Sequence, residues 1–156
     1  KIKGTETAKT IEPAENYVIP IGKGKVVRSC NPSDKSMCII TYGMGVHWAI
    51  NAAKDYHENV EIIDIRTIHP LDEELIFNTV KKHGKCLVIT EEPRNNSFAQ
   101  SLSGRIQEHC FEHLDCPVHT LGSKDLPAIP LNSILEEEML PNSSKVKQKI
   151  KEILSY

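Results

Sequence analysis

No stretch of this 156-residue sequence approaches the roughly 20 consecutive apolar residues that a membrane-spanning helix needs. The N-terminus also lacks the charged-then-apolar pattern of a secretory signal, so a soluble intracellular protein is expected. Charge of one sign is missing as well. Nineteen basic and twenty-one acidic side chains leave a formal net charge of -2, too little to gather nucleic acid or anionic lipid by long-range attraction. The five cysteines, Cys30, Cys38, Cys86, Cys110 and Cys116, are odd in number and contain no C-x-x-C pair. That spacing suits neither a disulfide framework nor a zinc site, and reduced, buried thiols are expected instead, above all for Cys38 and Cys86 within apolar runs. No serine occupies a nucleophile elbow, no two histidines stand at helical metal-ligand spacing, and no phosphate-binding P-loop is present. There is no initiating methionine, which leads to the expectation that an upstream portion precedes Lys1.

What is present is an ordinary globular composition, 39% hydrophobic, in a length that suits one domain with a single core. Residues 1–16 are polar, contain Pro13 and show no period, as expected of a linker entering a domain over residues 17–156. From there short β-rich runs alternate with stretches of helical period, the pattern of βαβ units and a mostly parallel sheet. Strands are expected at residues 25–28, 38–42, 60–64, 85–90 and 117–121. A first helix carries Val46, Ala49, Ile50 and Ala53 on one stripe. Asp72 is placed to cap a second that runs to His83, with Leu71 and Ile76 as its hydrophobic staple and Gly84 as its left-handed stop. Ser97 and Gln100 have capping-box spacing ahead of a third, whose buried side carries Phe98, Leu102, Ile106 and Cys110. Gly104 in that helix is expected to mark close packing. The proline-spaced segment through Pro127, Pro130 and Pro141 is expected to cross the surface irregularly. A last helix should bury Val146, Ile150, Ile153 and Leu154 and turn lysines 145, 147, 149 and 151 to water. The sum is a three-layer α/β/α domain around a five-stranded, mostly parallel sheet, its first strand an antiparallel edge.

Three constellations bear on chemistry. Gly43-Met44-Gly45, with Asp64 about 20 residues on, superficially fits a dinucleotide fingerprint. The third glycine of that fingerprint is replaced by Trp48, which leaves a tight strand-to-helix turn as the better reading. His47, His69, Glu91 and Glu92 fall near the carboxyl ends of the central strands, where open α/β sheets bind ligands. Adjacent Glu91 and Glu92 point to opposite sides of a strand, so only one would line a common site, and capping, loop fixing or contact with a neighbouring domain is the expected role of this group. Glu136-Glu137-Glu138 reads either as a solvated surface or as a docking patch for a basic partner.

The strings 39–45 (Ile-Ile-Thr-Tyr-Gly-Met-Gly), 64–72 (Asp-Ile-Arg-Thr-Ile-His-Pro-Leu-Asp) and 88–92 (Val-Ile-Thr-Glu-Glu) closely resemble the transketolase C-terminal domain in order and spacing. More narrowly, 93–98 (Pro-Arg-Asn-Asn-Ser-Phe) and 127–130 (Pro-Ala-Ile-Pro) resemble the beta-type half of the first component of branched-chain 2-oxo-acid (2-oxoisovalerate) dehydrogenases. The resemblance covers residues 17–156. It implies an enzyme that decarboxylates a 2-oxo acid on thiamine diphosphate and passes the acyl group to a lipoyl arm on a dihydrolipoyl acyltransferase. It implies too that the cofactor and its magnesium are held by other domains, so this chain supplies no catalytic, cofactor or metal residue and is inactive alone. Its implied role is to build a dimeric or heterotetrameric subunit interface and to help dock the acyltransferase, in the cytoplasm or, in a eukaryote, the mitochondrial matrix. The residues expected to matter are then architectural. Arg66 is expected to anchor its loop to a carboxylate such as Glu91 or Asp72, His69-Pro70 to set the approach to the second helix, and Gly43 and Gly45 the approach to the first. The alternatives are the same domain of a pyruvate dehydrogenase, of transketolase or of a deoxyxylulose-phosphate synthase, and a stand-alone small-molecule-binding regulatory domain.

Overall fold

The computed structural model describes Lys9 and residues 11–156, so the linker expected over residues 1–16 lies largely outside the described residues. Strands β1 (Lys25–Arg28), β2 (Met37–Thr41), β3 (Val60–Asp64), β4 (Cys86–Pro93) and β5 (His119–Ser123) form one sheet in the order β1-β3-β2-β4-β5. Helices α1 (Met44–Ala52), α2 (Glu73–His83), α3 (Phe98–Cys110), α4 (Ser133–Met139) and α5 (Ser143–Ile153) complete it. The β2–β3, β2–β4 and β4–β5 pairs are parallel, and β1 joins β3 antiparallel with an irregular register between Val26 and Arg28. This is the expected fold. Among the described residues no helix is long and apolar enough to cross a membrane.

Alternation along the strands feeds two cores. Met37, Ile39, Ile62, Leu87 and Ile89 meet Ala49 and Ala52 of α1 and Val146, Ile150 and Ile153 of α5. Cys38, Ile40, Ile63, Cys86 and Val88 meet Ile76 and Val80 of α2 and Leu102 and Ile106 of α3. Burying each such Ile, Leu or Val stabilises the fold by about 1.5–3 kcal/mol. The layers follow from handedness. The chain leaves β2 towards β3 but leaves β3 in the opposite direction, towards β4, and right-handed crossovers then put α1 and α2 on opposite faces.

The helix signals are realised in the side chains. Asp72 accepts from Leu75 N at 3.3 Å, Leu71 and Ile76 share one core, and Gly84 ends α2 at φ 68°. Ser97 accepts from Gln100 N at 3.1 Å, but the return bond to Gln100 Oε1 comes from Asn96 N, one residue before the cap. All five cysteines are buried and none is in a disulfide.

Three local expectations change. A Cβ on Gly104 would meet nothing within 4 Å, so this glycine faces open space and marks no close packing. The segment between Pro130 and Pro141 contains α4, capped by Asn132, whose side chain accepts from Ile134 N and Leu135 N. The prolines flank the helix and do not interrupt it. Lys145 is half-buried, and its Nζ donates to the carbonyls of Glu137, Glu138 and Leu140 at 2.7–3.0 Å, where the exposed carbonyls at the end of α4 attract a cation.

Gly45 is the glycine the sheet requires, because a Cβ there would lie 2.0 Å from the buried Thr41 hydroxyl. Gly45→Ala is expected to cost about 1–3 kcal/mol by overpacking, and Gly104→Ala to add about 0.5–1 kcal/mol through helix propensity. Urea unfolding of the two variants should move the midpoint in opposite directions, and equal shifts would contradict this packing.

Candidate interface at the carboxyl ends of the strands

Connections leave β2 and β4 in opposite directions, so the crevice between their carboxyl ends is the place where an open α/β sheet ordinarily receives a ligand. Here the chain fills it. Thr41 Oγ1 donates to Ile89 O at 3.1 Å, and Gly45 packs directly on that threonine. Above them Tyr42 OH lies 2.8 Å from Thr90 Oγ1, and both hydroxyls reach Glu92 Oε1, at 3.1 and 3.0 Å. The same carboxylate oxygen accepts from Phe98 N at 2.9 Å, where the N-terminus of α3 favours negative charge. Burial, and then the Glu92 carboxylate, push the Tyr42 phenol above its ordinary value, with the Thr90 bond opposing them. Glu92 thus ties the ends of two strands to a helix, although it is exposed like the adjacent Glu91. Gly43 has φ 55° and opens α1 without any side-chain cap. Trp48, at the position of the fingerprint's third glycine, packs against the core shared by α1 and α5.

Beside it, the loop over residues 66–72 clasps the segment that enters the domain. Thr67 Oγ1 accepts from Gly22 N at 3.1 Å and donates to Pro70 O at 2.9 Å. Asp72 Oδ2 accepts from Gly24 N at 3.0 Å, with the Lys23 ammonium 3.8 Å from Oδ1. A Cβ on Gly22 would come within 2.9 Å of the Pro70 ring, and the His69-Pro70 bond is cis. Pro70 therefore packs on the entering segment at Gly22 as well as leading into α2. Arg66 takes φ 57°, and its backbone N donates to Asp64 Oδ1 at 3.0 Å. Among the described residues its guanidinium makes no ion pair with Glu91 or Asp72, because Asp72 is already engaged by Gly24, Leu75 and Lys23. The anchor expected of Arg66 is supplied by Thr67 and Asp72.

The clasp holds Ile19, Pro20 and Ile21 against Tyr42, Arg66 and Ile68 around an open cavity of about 660 Å³. Ile21 is 80% exposed and Ile68 48%, in a mouth whose only carboxylate is Asp64, bonded to the Arg66 backbone. His47 stands inside α1 with its Nδ1 buried and without a partner, and His69 is exposed. The structure shows no contact joining these two histidines to each other or to Glu91 and Glu92. The acidic run lies exposed on α4, where Glu138 pairs with Lys124, which holds its carboxyl below the usual range, while no cation among the described residues pairs with Glu136 or Glu137.

A second polar group lies at the opposite, amino end of the parallel strands. Glu61, in the otherwise apolar β3, accepts from Lys82 Nζ at 2.5 Å, lies 3.0 Å from His83 Nε2 and 3.4 Å from Cys30 N. His83 Nδ1 lies 2.8 Å from the buried Ser36 hydroxyl. Burial opposes the Glu61 anion, but the Lys82 and His83 bonds outweigh it and hold the carboxyl below its usual value. Burial lowers His83 in turn, against the pull of Glu61. Sequence reasoning passed over this group, although a glutamate inside Val60–Asp64 is the signal that finds it: a charge in a central strand needs a partner.

Fold and site together define a layered α/β scaffold with a filled crevice and an open apolar edge. The family model described as "Transketolase, C-terminal domain" matches residues 22–146, and the chain belongs to that family. It is 35% identical over 147 residues to the 2-oxoisovalerate dehydrogenase subunit beta of Bacillus subtilis, covering 92% of this chain and 44% of that protein. It is 32% identical over 142 residues to the pyruvate dehydrogenase E1 component subunit beta of Rhizobium meliloti, covering 89% and 30%. Among solved structures, a split-gene transketolase described as an inactive beta4 tetramer superposes with a TM-score of 0.69 at 20% identity, covering 88% of this chain and 44% of that one. The chain therefore spans less than half the length of these relatives, which on the sequence side are beta subunits of 2-oxo-acid dehydrogenases.

Because Asp72 both caps α2 and holds Gly24, Asp72→Ala is expected to cost about 2 kcal/mol or slightly more. Chemical denaturation measures the loss, and protease cleavage ahead of Lys25 should accelerate in parallel. A variant as stable and as resistant as the parent would show that the clasp contributes nothing.

Proposed function

We propose that this chain is the C-terminal assembly domain of a thiamine-diphosphate-dependent 2-oxo-acid dehydrogenase of the 2-oxoisovalerate type. In this reading the parent enzyme oxidatively decarboxylates a branched-chain 2-oxo acid and passes the acyl group to a dihydrolipoyl acyltransferase. It works as a dimer or heterotetramer in the cytoplasm, or in the mitochondrial matrix of a eukaryote. The observation that carries the assembly role is the apolar mouth, where Ile19, Ile21 and Ile68 stay exposed at the edge from which an α/β sheet usually works. Apolar surface gathered in one place is what a neighbouring domain buries.

The residues of this chain do not fit thiamine diphosphate and magnesium. Magnesium wants several oxygen ligands, and the mouth offers the single carboxylate of Asp64, already bonded to Arg66 N. The cofactor is accordingly assigned to other domains, and the domain's contribution is to position them. Likeness to 2-oxoisovalerate dehydrogenase beta and the Pro-Arg-Asn-Asn-Ser-Phe segment at 93–98 favour a branched-chain substrate. Pyruvate, the substrate in the name of the Rhizobium relative, is the runner-up. Relative turnover of 3-methyl-2-oxobutanoate and pyruvate by the complete parent enzyme decides between them.

In the complete enzyme, Ile21→Asp with Ile68→Asp should weaken subunit association by at least about tenfold, since an unpaired carboxylate buried at an interface costs several kcal/mol. Decarboxylation should fall with it, while the thermal midpoint of the domain stays unchanged. Intact assembly on size-exclusion chromatography would sink the proposal. For the acyltransferase, replacing Glu136, Glu137 and Glu138 together by lysine should abolish binding and its salt dependence, and unchanged binding at every salt concentration would return the run to a solvated surface.

A further inference from the structure

The group at the amino end of the strands contains more ligand chemistry than a structural ion pair needs. Cys30 Sγ, a Glu61 carboxylate oxygen and a His83 ring nitrogen all lie within 4.8 Å of one another. They come from the loop after β1, from β3 and from the last turn of α2, so their spacing in the chain conceals them. We propose that Cys30, Glu61 and His83 form a binding site for a zinc-class divalent ion, with a fourth position open to solvent.

The donor set selects the metal. Thiolate, imidazole and one carboxylate suit zinc or cobalt and discriminate against magnesium and calcium, which prefer oxygen alone. The geometry is close to what such an ion needs. Bonds of about 2.0–2.3 Å at tetrahedral angles place ligand atoms about 3.3–3.6 Å apart, and His83 Nε2 and Glu61 Oε2 stand 3.0 Å apart already. Cys30 Sγ has only to close a gap of at most 4.8 Å. Outer contacts hold the ring, with Ser36 Oγ at His83 Nδ1 leaving Nε2 directed at Glu61, the arrangement that fixes metal-binding histidines. An entry path exists, since Cys30, Asn31, Ser33, His57 and Glu58 line an open cavity of about 460 Å³.

Charge balance explains how the site rests without metal. Glu61 is then neutralised by the Lys82 ammonium at 2.5 Å, with the Cys30 thiol protonated. Lys82 is 36% exposed and can swing into water. A divalent ion bound to the Cys30 thiolate, the Glu61 carboxylate and neutral His83 again sums to zero. Binding forms the metal–sulfur, metal–nitrogen and metal–oxygen bonds, sends the thiol proton to solvent and displaces the ammonium.

Cobalt is the probe, titrated into the reduced, metal-stripped chain. A thiolate-to-cobalt charge-transfer band, with the intense visible bands of four-coordinate cobalt, should appear at one equivalent and be bleached by zinc. Cys30→Ser should lose the charge-transfer band, and Cys116→Ser, at a cysteine outside the site, should keep it. Ser36→Ala should weaken zinc by about 10- to 100-fold, and Lys82→Met, which removes the competing cation, should tighten it. Circular dichroism of each variant separates loss of the site from loss of the fold. A folded parent chain that gives no thiolate band, or a band that survives Cys30→Ser, overturns the proposal, as does a Lys82→Met variant that binds no tighter.

Discussion

All five residues of β2 are buried, which is possible only because helices cover the sheet on both faces. A parallel sheet demands this, since its crossovers return across its faces and leave no strand surface for water. The demand reaches far along the chain. It puts α1 and α5 on one side and α2 and α3 on the other, and it excludes polar side chains from the centre unless each brings a partner. Thr41 meets that condition through the Ile89 carbonyl, and Glu61 through Lys82 and His83.

Chemistry is left to the two ends of the strands, and the ends differ. At the carboxyl end Tyr42, Thr90 and Glu92 spend their polar atoms on each other and on the first turn of α3. What remains there is a mouth with Ile19, Ile21 and Ile68 exposed, shaped by the clasp of Thr67, Pro70 and Asp72 on residues 22–24. At the amino end a thiol, a carboxylate and an imidazole converge beside an open cavity. This domain of the transketolase C-terminal family thus offers exposed apolar side chains where related α/β folds often react, and a thiol, a carboxylate and an imidazole together where they usually only pack.

Much of this was legible in the sequence wherever one local rule governs. The strands follow from β-branched runs, and α2 from Asp72, Leu71, Ile76 and Gly84. The sequence misled where a residue answers to a distant neighbour. Lys145 leaves the polar stripe of α5 because the carbonyls ending α4 lie within its reach, and Arg66 lacks its expected Asp72 carboxylate, which is occupied by Gly24, 48 positions upstream, and by Lys23 and Leu75. Gly104 looked like a packing glycine, but helical period alone does not tell whether the facing position is occupied. The Cys30, Glu61 and His83 group spans 54 residues and draws on a loop, a strand and a helix, beyond any spacing rule.

The margin of the sheet has its own consequence. β1 is four residues long, bears Lys25 and Arg28, and slips register between Val26 and Arg28, where the Arg28 guanidinium turns to donate to Ala53 O at 2.7 Å. A short, charged, kinked outer strand makes a poor template for a further one. Copies of this domain are thereby discouraged from zipping into a continuous ribbon, and aggregation through that rim is suppressed while neighbours remain free to meet elsewhere.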